Sequence, residues 1–195
     1  MQDARRLAGK RTGRVGYLGT SKGGWVAPLA ARVAPVDFVI VAYGLAVSVI
    51  DEDLQAIERE MRSKGHGPDE IARAFEVAKA VHVVVESKFT RGYAAFDALR
   101  ALETPQLWVP GEDDFDAPSA ETARLLGGLI DAGKPITIAM FPGAEHGMTE
   151  YRLAADGSRV STRYAAGYFE ILRAFARHGR VEGQYGRARV RTNRP

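Results

Sequence analysis

Cysteine is absent from all 195 residues, which excludes a disulfide framework, a thiolate metal site and a cysteine nucleophile. Histidine is scarce. The four, His66, His82, His146 and His178, are widely separated and none falls in H-E-x-x-H or a similar ligand spacing, so the residues imply neither a metal nor another cofactor. No apolar run is long enough to span a bilayer, and Met1 leads into the polar residues 2–6 instead of a signal-peptide core; the expectation is a cytoplasmic protein without a membrane partner. An excess of one charge is also missing. The chain carries +3, while the five arginines and Glu182 of residues 180–195 supply +4 by themselves, leaving −1 for the rest. That tail reads as a basic, mobile extension, and five arginines with one aromatic, Tyr185, suit solvent better than a nucleic-acid partner.

What the chain does have is a glycine-rich turn between two apolar segments. Residues 14–31 read RVGYLGTSKGGWVAPLAA. Residues 15–18 have the composition of a buried parallel strand, and from Trp25 onward the small and apolar residues suit a buried helix. Between them Gly19, Thr20, Ser21, Lys22 and Gly23 form G-x-S-x-G. A strand that passes into a helix over one residue strains that residue's backbone, so the positions two before and two after it are expected to lack side chains. Ser21 is then presented at the tip. The helix dipole begins beside it, and the backbone N–H of Lys22 is directed to where an oxyanion would form. Phosphate-binding loops fit less well. A P-loop needs Gly-Lys followed by Ser or Thr, whereas the order here is Ser21-Lys22-Gly23, and Gly19, Gly23 and Gly24 do not make G-x-G-x-x-G.

The chain as a whole is 46% hydrophobic and 26% charged, which suits one domain over residues 1–179. Residues 3–9 read as the end of a helix and residues 12–19 as the first strand. The helix after the turn places Trp25, Leu29 and Val33 on its stripe until Pro35. Residues 37–43 (DFVIVAY) form a second strand, apolar enough to be covered on both faces. Residues 51–102 turn helical, with Leu54, Ile57 and Met61 on one stripe and Ile71, Phe75 and Ala78 on the next, and with His82 continuing the latter. A parallel crossover needs far less chain, so residues 48–102 are expected to form a helical cap insertion. Residues 105–110 (PQLWVP) and 135–141 (PITIAMF) are the third and fourth strands, separated by a helix over 118–133. A loop over 143–148 and a turn at Asp156-Gly157 lead to a last helix with Tyr164, Tyr168, Ile171 and Phe175 on its buried stripe. This alternation predicts an α/β fold: a mostly parallel open sheet with helices on both faces.

In such sheets functional groups gather at the carboxyl ends of the strands. The first strand delivers Ser21, the third opens into Gly111-Glu112-Asp113-Asp114-Phe115-Asp116, and the fourth into Gly143-Ala144-Glu145-His146-Gly147. His146 is suited to take the proton of Ser21 and return it to a leaving group, with an aspartate on its other ring nitrogen. Asp114 is the preferred acid because a few residues past the strand end leave room to reach the histidine. Asp116, just before Pro118, better suits the cap of the next helix, and Asp113 is the fallback. Tyr43 and Gly44, ending the second strand, stand near enough to line a pocket, though packing is the more natural role.

The segments GTSKGGWVAPLAA, LWVPGEDDFDAP and FPGAEHGM, with their order Ser, Asp, His, resemble the α/β-hydrolase superfamily, in its prolyl-oligopeptidase-like and dienelactone-hydrolase-like branch of serine hydrolases. The resemblance covers residues 14 to about 177. It implies an acyl-enzyme on a Ser21–His146–Asp114 triad, with the Lys22 N–H as an oxyanion donor, no cofactor, and an ester or amide, a peptide included, as substrate. One feature departs from the family. Several strands normally precede the elbow, and the loop after the third of them supplies a second oxyanion N–H. Here the elbow strand becomes a sheet edge, expected to pair with another chain as a homodimer. The alternative is a truncated or inactive hydrolase-fold module that serves binding or dimerisation.

Overall fold

The computed structural model describes residues 3, 5–6, 13–89 and 95–193, with the side chains of residues 82–95 excepted. The helix expected over residues 3–9 therefore falls largely outside the described residues, as does the side chain of His82. Strand β1 (Gly16–Thr20) runs over Ser21 and Lys22 into helix α1 (Gly23–Val33), and β2 (Phe38–Ala42) follows. Three helices, α2 (Val49–Ser63), α3 (Pro68–Phe89) and α4 (Ala95–Ala101), come before β3 (Gln106–Val109). Then come α5 (Ser119–Asp131), β4 (Ile136–Met140), a hairpin of β5 (Thr149–Leu153) and β6 (Arg159–Tyr164), α6 (Tyr168–His178) and β7 (Arg189–Thr192).

The main sheet has the order β1-β2-β3-β4-β7. Its first four strands are parallel, and β7 runs antiparallel to β4. Alternation along β2 divides the core into two layers. Val39 and Val41 pack with Ala27, Ala31, Leu99, Trp108, Leu126 and Ile136 under α1, α4 and α5. Phe38, Ile40 and Ala42 pack with Leu107, Phe141, Ile171 and Phe175 under α6. Every residue of β2 and β3 is buried, which is why these strands read as continuous apolar runs, and each fully buried aliphatic side chain contributes about 1.5–3 kcal/mol. Helices cover both faces, as the alternation of segments predicts.

Four expectations are corrected. The stripe of α1 is Gly24, Trp25, Ala27, Pro28 and Ala31, while Val33 is 87% exposed; the row that meets the core runs through Ala27 and Ala31, which turns Val33 to water. Tyr164 does not lie on α6 but ends β6 and is exposed. The span after His146 holds the hairpin β5–β6, paired in antiparallel register from Thr149↔Tyr164 to Leu153↔Arg159, instead of a loop and a turn alone. The basic tail is ordered by the sheet, for β7 pairs with β4 from Thr137↔Thr192 to Met140↔Arg189. Its arginines find carboxylates from other elements: Arg191 with Asp131 at 2.6 Å, Arg189 with Glu112, and Arg187 with Glu150 at 3.6 Å. No helix among the described residues is long and apolar enough to cross a membrane.

Candidate active site

Ser21 holds a backbone φ of +50°, a left-handed conformation that a serine adopts only under constraint. Its N–H donates to the Ala42 carbonyl at 3.2 Å, tying the turn to β2, and its carbonyl accepts from Gly24 at 2.9 Å as α1 begins. A Cβ at Gly19 would lie 2.3 Å from the Gly23 carbonyl oxygen, and one at Gly24 would lie 2.6 Å from the Leu45 nitrogen. Gly23 itself opens onto free space. The glycine that close packing requires after the serine is thus Gly24, pressed against the loop after β2, while the Gly23 backbone fills the space that Gly19 leaves. Lys22 sits at the start of α1 with φ −55° and ψ −16°. Its backbone N–H donates to no acceptor among the described residues.

The segment after β3 curls around Asp114, whose side chain is fully buried. Asp114 Oδ1 accepts from the backbone N–H groups of Asp116 and Ala117, both at 2.8 Å. The same carboxylate receives His146, whose Nδ1 lies 3.1 Å from Oδ1 and 3.0 Å from Oδ2. On the other side of the ring, His146 Nε2 is 3.2 Å from Ser21 Oγ. The three residues proposed from sequence thus stand in one hydrogen-bonded run. The two fallback acids are engaged differently. Asp113 accepts from the Tyr151 hydroxyl at 2.9 Å, and Asp116 is exposed. Asp116 does not cap α5 either; the cap position is Pro118, which has no side-chain acceptor to offer.

His146 lies between β4 and β5 on a tight loop in which Gly143, Gly147 and Met148 have φ of +75°, +82° and +65°. The Glu145 and Met148 amides close it, donating to Thr149 and Glu145 carbonyls at 2.9 Å. The Tyr43 ring meets the imidazole edge to face, with centroids 5.0 Å apart. Gly44 packs beneath the elbow, where a Cβ would stand 3.0 Å from the Ser21 carbonyl oxygen. Of the aromatic residues near these segments, Trp108 belongs to the core and Trp25 donates to the Val47 carbonyl at 2.8 Å.

The hydrogen bond to Asp114 raises His146 above its ordinary 6.5; burial opposes it, and the charges of Asp114, Asp116 and Glu52 add to it. Glu52, in the first turn of α2, is pushed up by burial, against the pull of Lys22, whereas Asp53 adds to it. Its influence on His146 was not visible in sequence, since nothing local marks which acid of an amphipathic helix lies within range of a distant histidine's charge. Asp114, Asp116 and His146 also bring potential ligand atoms within 4.8 Å of one another, but the Asp114 oxygens already accept from two amides and the imidazole.

Residues 10–171 match the family model described as the prolyl oligopeptidase family. The chain belongs to the prolyl oligopeptidase family. Membership in this family brings the α/β-hydrolase fold, in keeping with the strand, turn and helix around Ser21. Among solved structures, the acylaminoacyl peptidase of Pyrococcus horikoshii is 19% identical at a TM-score of 0.49, over 75% of this chain and 22% of that one. Carboxyl esterase 2 of Tuber melanosporum is 21% identical at a TM-score of 0.40, over 75% of this chain and 49% of the other. The prolyl oligopeptidase family chain described here thus spans less than half the length of either. Comparison with curated protein sequences finds no match.

Proposed function

We propose that this chain is a serine hydrolase that cleaves an ester or amide bond, with peptides among its substrates, through an acyl-enzyme on Ser21. The observation that supports it is the run from Ser21 Oγ through His146 to the buried Asp114 carboxylate. Ser21 Oγ attacks the substrate carbonyl carbon while His146 Nε2 takes the hydroxyl proton. Asp114 stabilises the resulting imidazolium. The oxyanion meets the Lys22 N–H at the start of α1, where the helix dipole adds to the donor. Collapse breaks the bond to the alcohol or amine, which leaves with the proton from Nε2, and a water repeats the sequence to release the acid. Helices α2 and α3 act as a cap that selects the acyl or leaving group, for Glu52 of α2 already feels the charges of Lys22 and His146, while α4 packs into the core through Leu99.

Labelling with a fluorophosphonate probe, read by intact mass, tests this. One adduct per chain, lost in Ser21→Ala and His146→Ala, is the expected result. A folded chain that takes no adduct overturns it and favours the alternative, a hydrolase-fold module kept for binding.

The outer edge of β1 supports a proposal about partners. Among the described residues no strand covers it, and Leu18 at its middle is 60% exposed. A second copy of this chain is the proposed occupant, pairing edge to edge. Light scattering should then report a dimer that Leu18→Lys converts to monomer, and a wild-type monomer at high concentration would overturn it.

A further inference from the structure

We propose that Arg159, on the hairpin that follows the histidine loop, is a positioning residue that clamps the segment carrying Asp114. The proposal rests on the Ser21–His146–Asp114 reading given above and adds what holds its acid in place. Two amides within the turn fix the Asp114 carboxylate relative to residues 116 and 117. They do not fix the turn relative to the histidine. At its root the segment is tied by Glu112 N–H to the Phe141 carbonyl and by Asp113 N–H to the Ala144 carbonyl, both at 3.0 Å. Its tip is held by the hairpin. Arg159 Nη1 donates to the Asp113 carbonyl at 2.6 Å, and the guanidinium lies 3.9 Å from the Phe115 ring centroid and 4.0 Å from that of Tyr151. Tyr151 in turn donates its hydroxyl to Asp113 Oδ2. One planar cation therefore bears on both neighbours of Asp114 in the chain.

The hairpin is placed to couple the two loops. It leaves the histidine loop directly at Thr149, and Ala165 at its far end returns an N–H to the Met148 carbonyl at 2.9 Å. Arg159 thus joins a strand anchored on the His146 side to the turn that carries Asp114. The slot between two ring faces demands a flat, charged group, which lysine does not supply.

Positioning and simple electrostatics predict opposite signs, which gives a discriminating measurement. Removing a cation near His146 would raise the histidine's titration midpoint, whereas loosening its bond to Asp114 would lower it. The test follows the His146 ring by nuclear magnetic resonance through a pH titration in the full chain, alongside the rate of fluorophosphonate labelling. Arg159→Ala is expected to lower the midpoint and to slow labelling roughly 10- to 100-fold, the scale of an ångström-sized misplacement. Arg159→Lys should fail to restore either. Arg163→Ala, an exposed arginine of the same strand paired with Glu150, should change neither. Phe115→Ala removes one face of the slot at an exposed ring, so it tests the clamp without threatening the fold, and it should lower the midpoint as well. A midpoint that stays or rises in folded Arg159→Ala overturns the proposal, even if the melting temperature falls. A wild-type chain that takes no label overturns the hydrolase reading instead, while the titration still reports on the clamp.

Discussion

The parallel sheet and the helix pair α2–α3 are built on different terms. All residues of β2 and β3 are buried, whereas α2 has no buried residue, and in α3 Ile71 is the only buried one among its described side chains. Val77 and Val81 of α3 are 65% and 58% exposed. Apolar burial concentrated in the sheet means that the sheet, with α1, α4, α5 and α6 against it, carries the stability, while the pair over the β2–β3 connection adds little to it. Between α2, α3 and α5 an open cleft of about 240 Å³ is lined by Asp51, Leu54, Gln55, Glu58, Phe75 and Glu121.

Activity and stability should part most sharply at the elbow. Ser21→Ala is expected to lower hydrolysis by a factor of about 10⁴ or more, measured on an activated ester. Ser21→Gly should do the same while raising the unfolding free energy by about 1 kcal/mol in urea, because glycine relieves a φ of +50°. Next in size, Leu107→Ala, fully buried in β3, should cost about 2–5 kcal/mol, against less than about 0.5 kcal/mol for Val77→Ala on α3. Equal losses at the two positions would sink the division of labour. Gly24→Ala should cost about 1–3 kcal/mol, since its new methyl would press on the Leu45 backbone.

The smallest expected effects concern pH. A base must be neutral to accept the Ser21 proton, so the labelling rate should rise with pH through a midpoint above 6.5, the ordinary histidine value. Asp116→Asn and Glu52→Gln each remove a charge that favours the imidazolium and should move that midpoint down. Stability runs the other way. A histidine raised in the folded state stabilises the fold fully below its unfolded value and loses that contribution as pH rises through the folded one. His146 should therefore weaken the fold across the range in which it becomes an effective base, a slope that His146→Ala would remove from a series of urea titrations.

How much was legible in sequence follows from where each signal resides. The inner strands β2 and β3 announce themselves because burial on both faces leaves almost no polar position, and the elbow because glycines are forced on both sides of Ser21. Asp114 could be preferred over its neighbours by its distance from the strand end alone. The hairpin β5–β6 was not legible: every residue of TEYRL and RVSTRY is half-buried or exposed, so neither strand shows the alternation that marks a covered face. Strand β7 was hidden for a related reason. Its arginines suggest a solvated tail until the carboxylates of Asp131, Glu112 and Glu150, each from a different part of the chain, are brought beside them. Arg159 belongs to the same class, for its role exists only once Phe115 and Tyr151 face each other across it.

The two borders of the sheet differ in chemistry, and this bears on how copies can assemble. On one side β7 presents exposed Arg189 and Arg191, whose charges discourage a further strand. On the other, β1 offers Gly16, Leu18 and Thr20 with no charged side chain among them. A strand-to-strand contact is therefore favoured at one border only. Head-to-tail addition, which needs both borders and would continue into a fibre, is blocked; two copies related by a two-fold axis would instead close on each other in one continuous ten-stranded sheet and stop there.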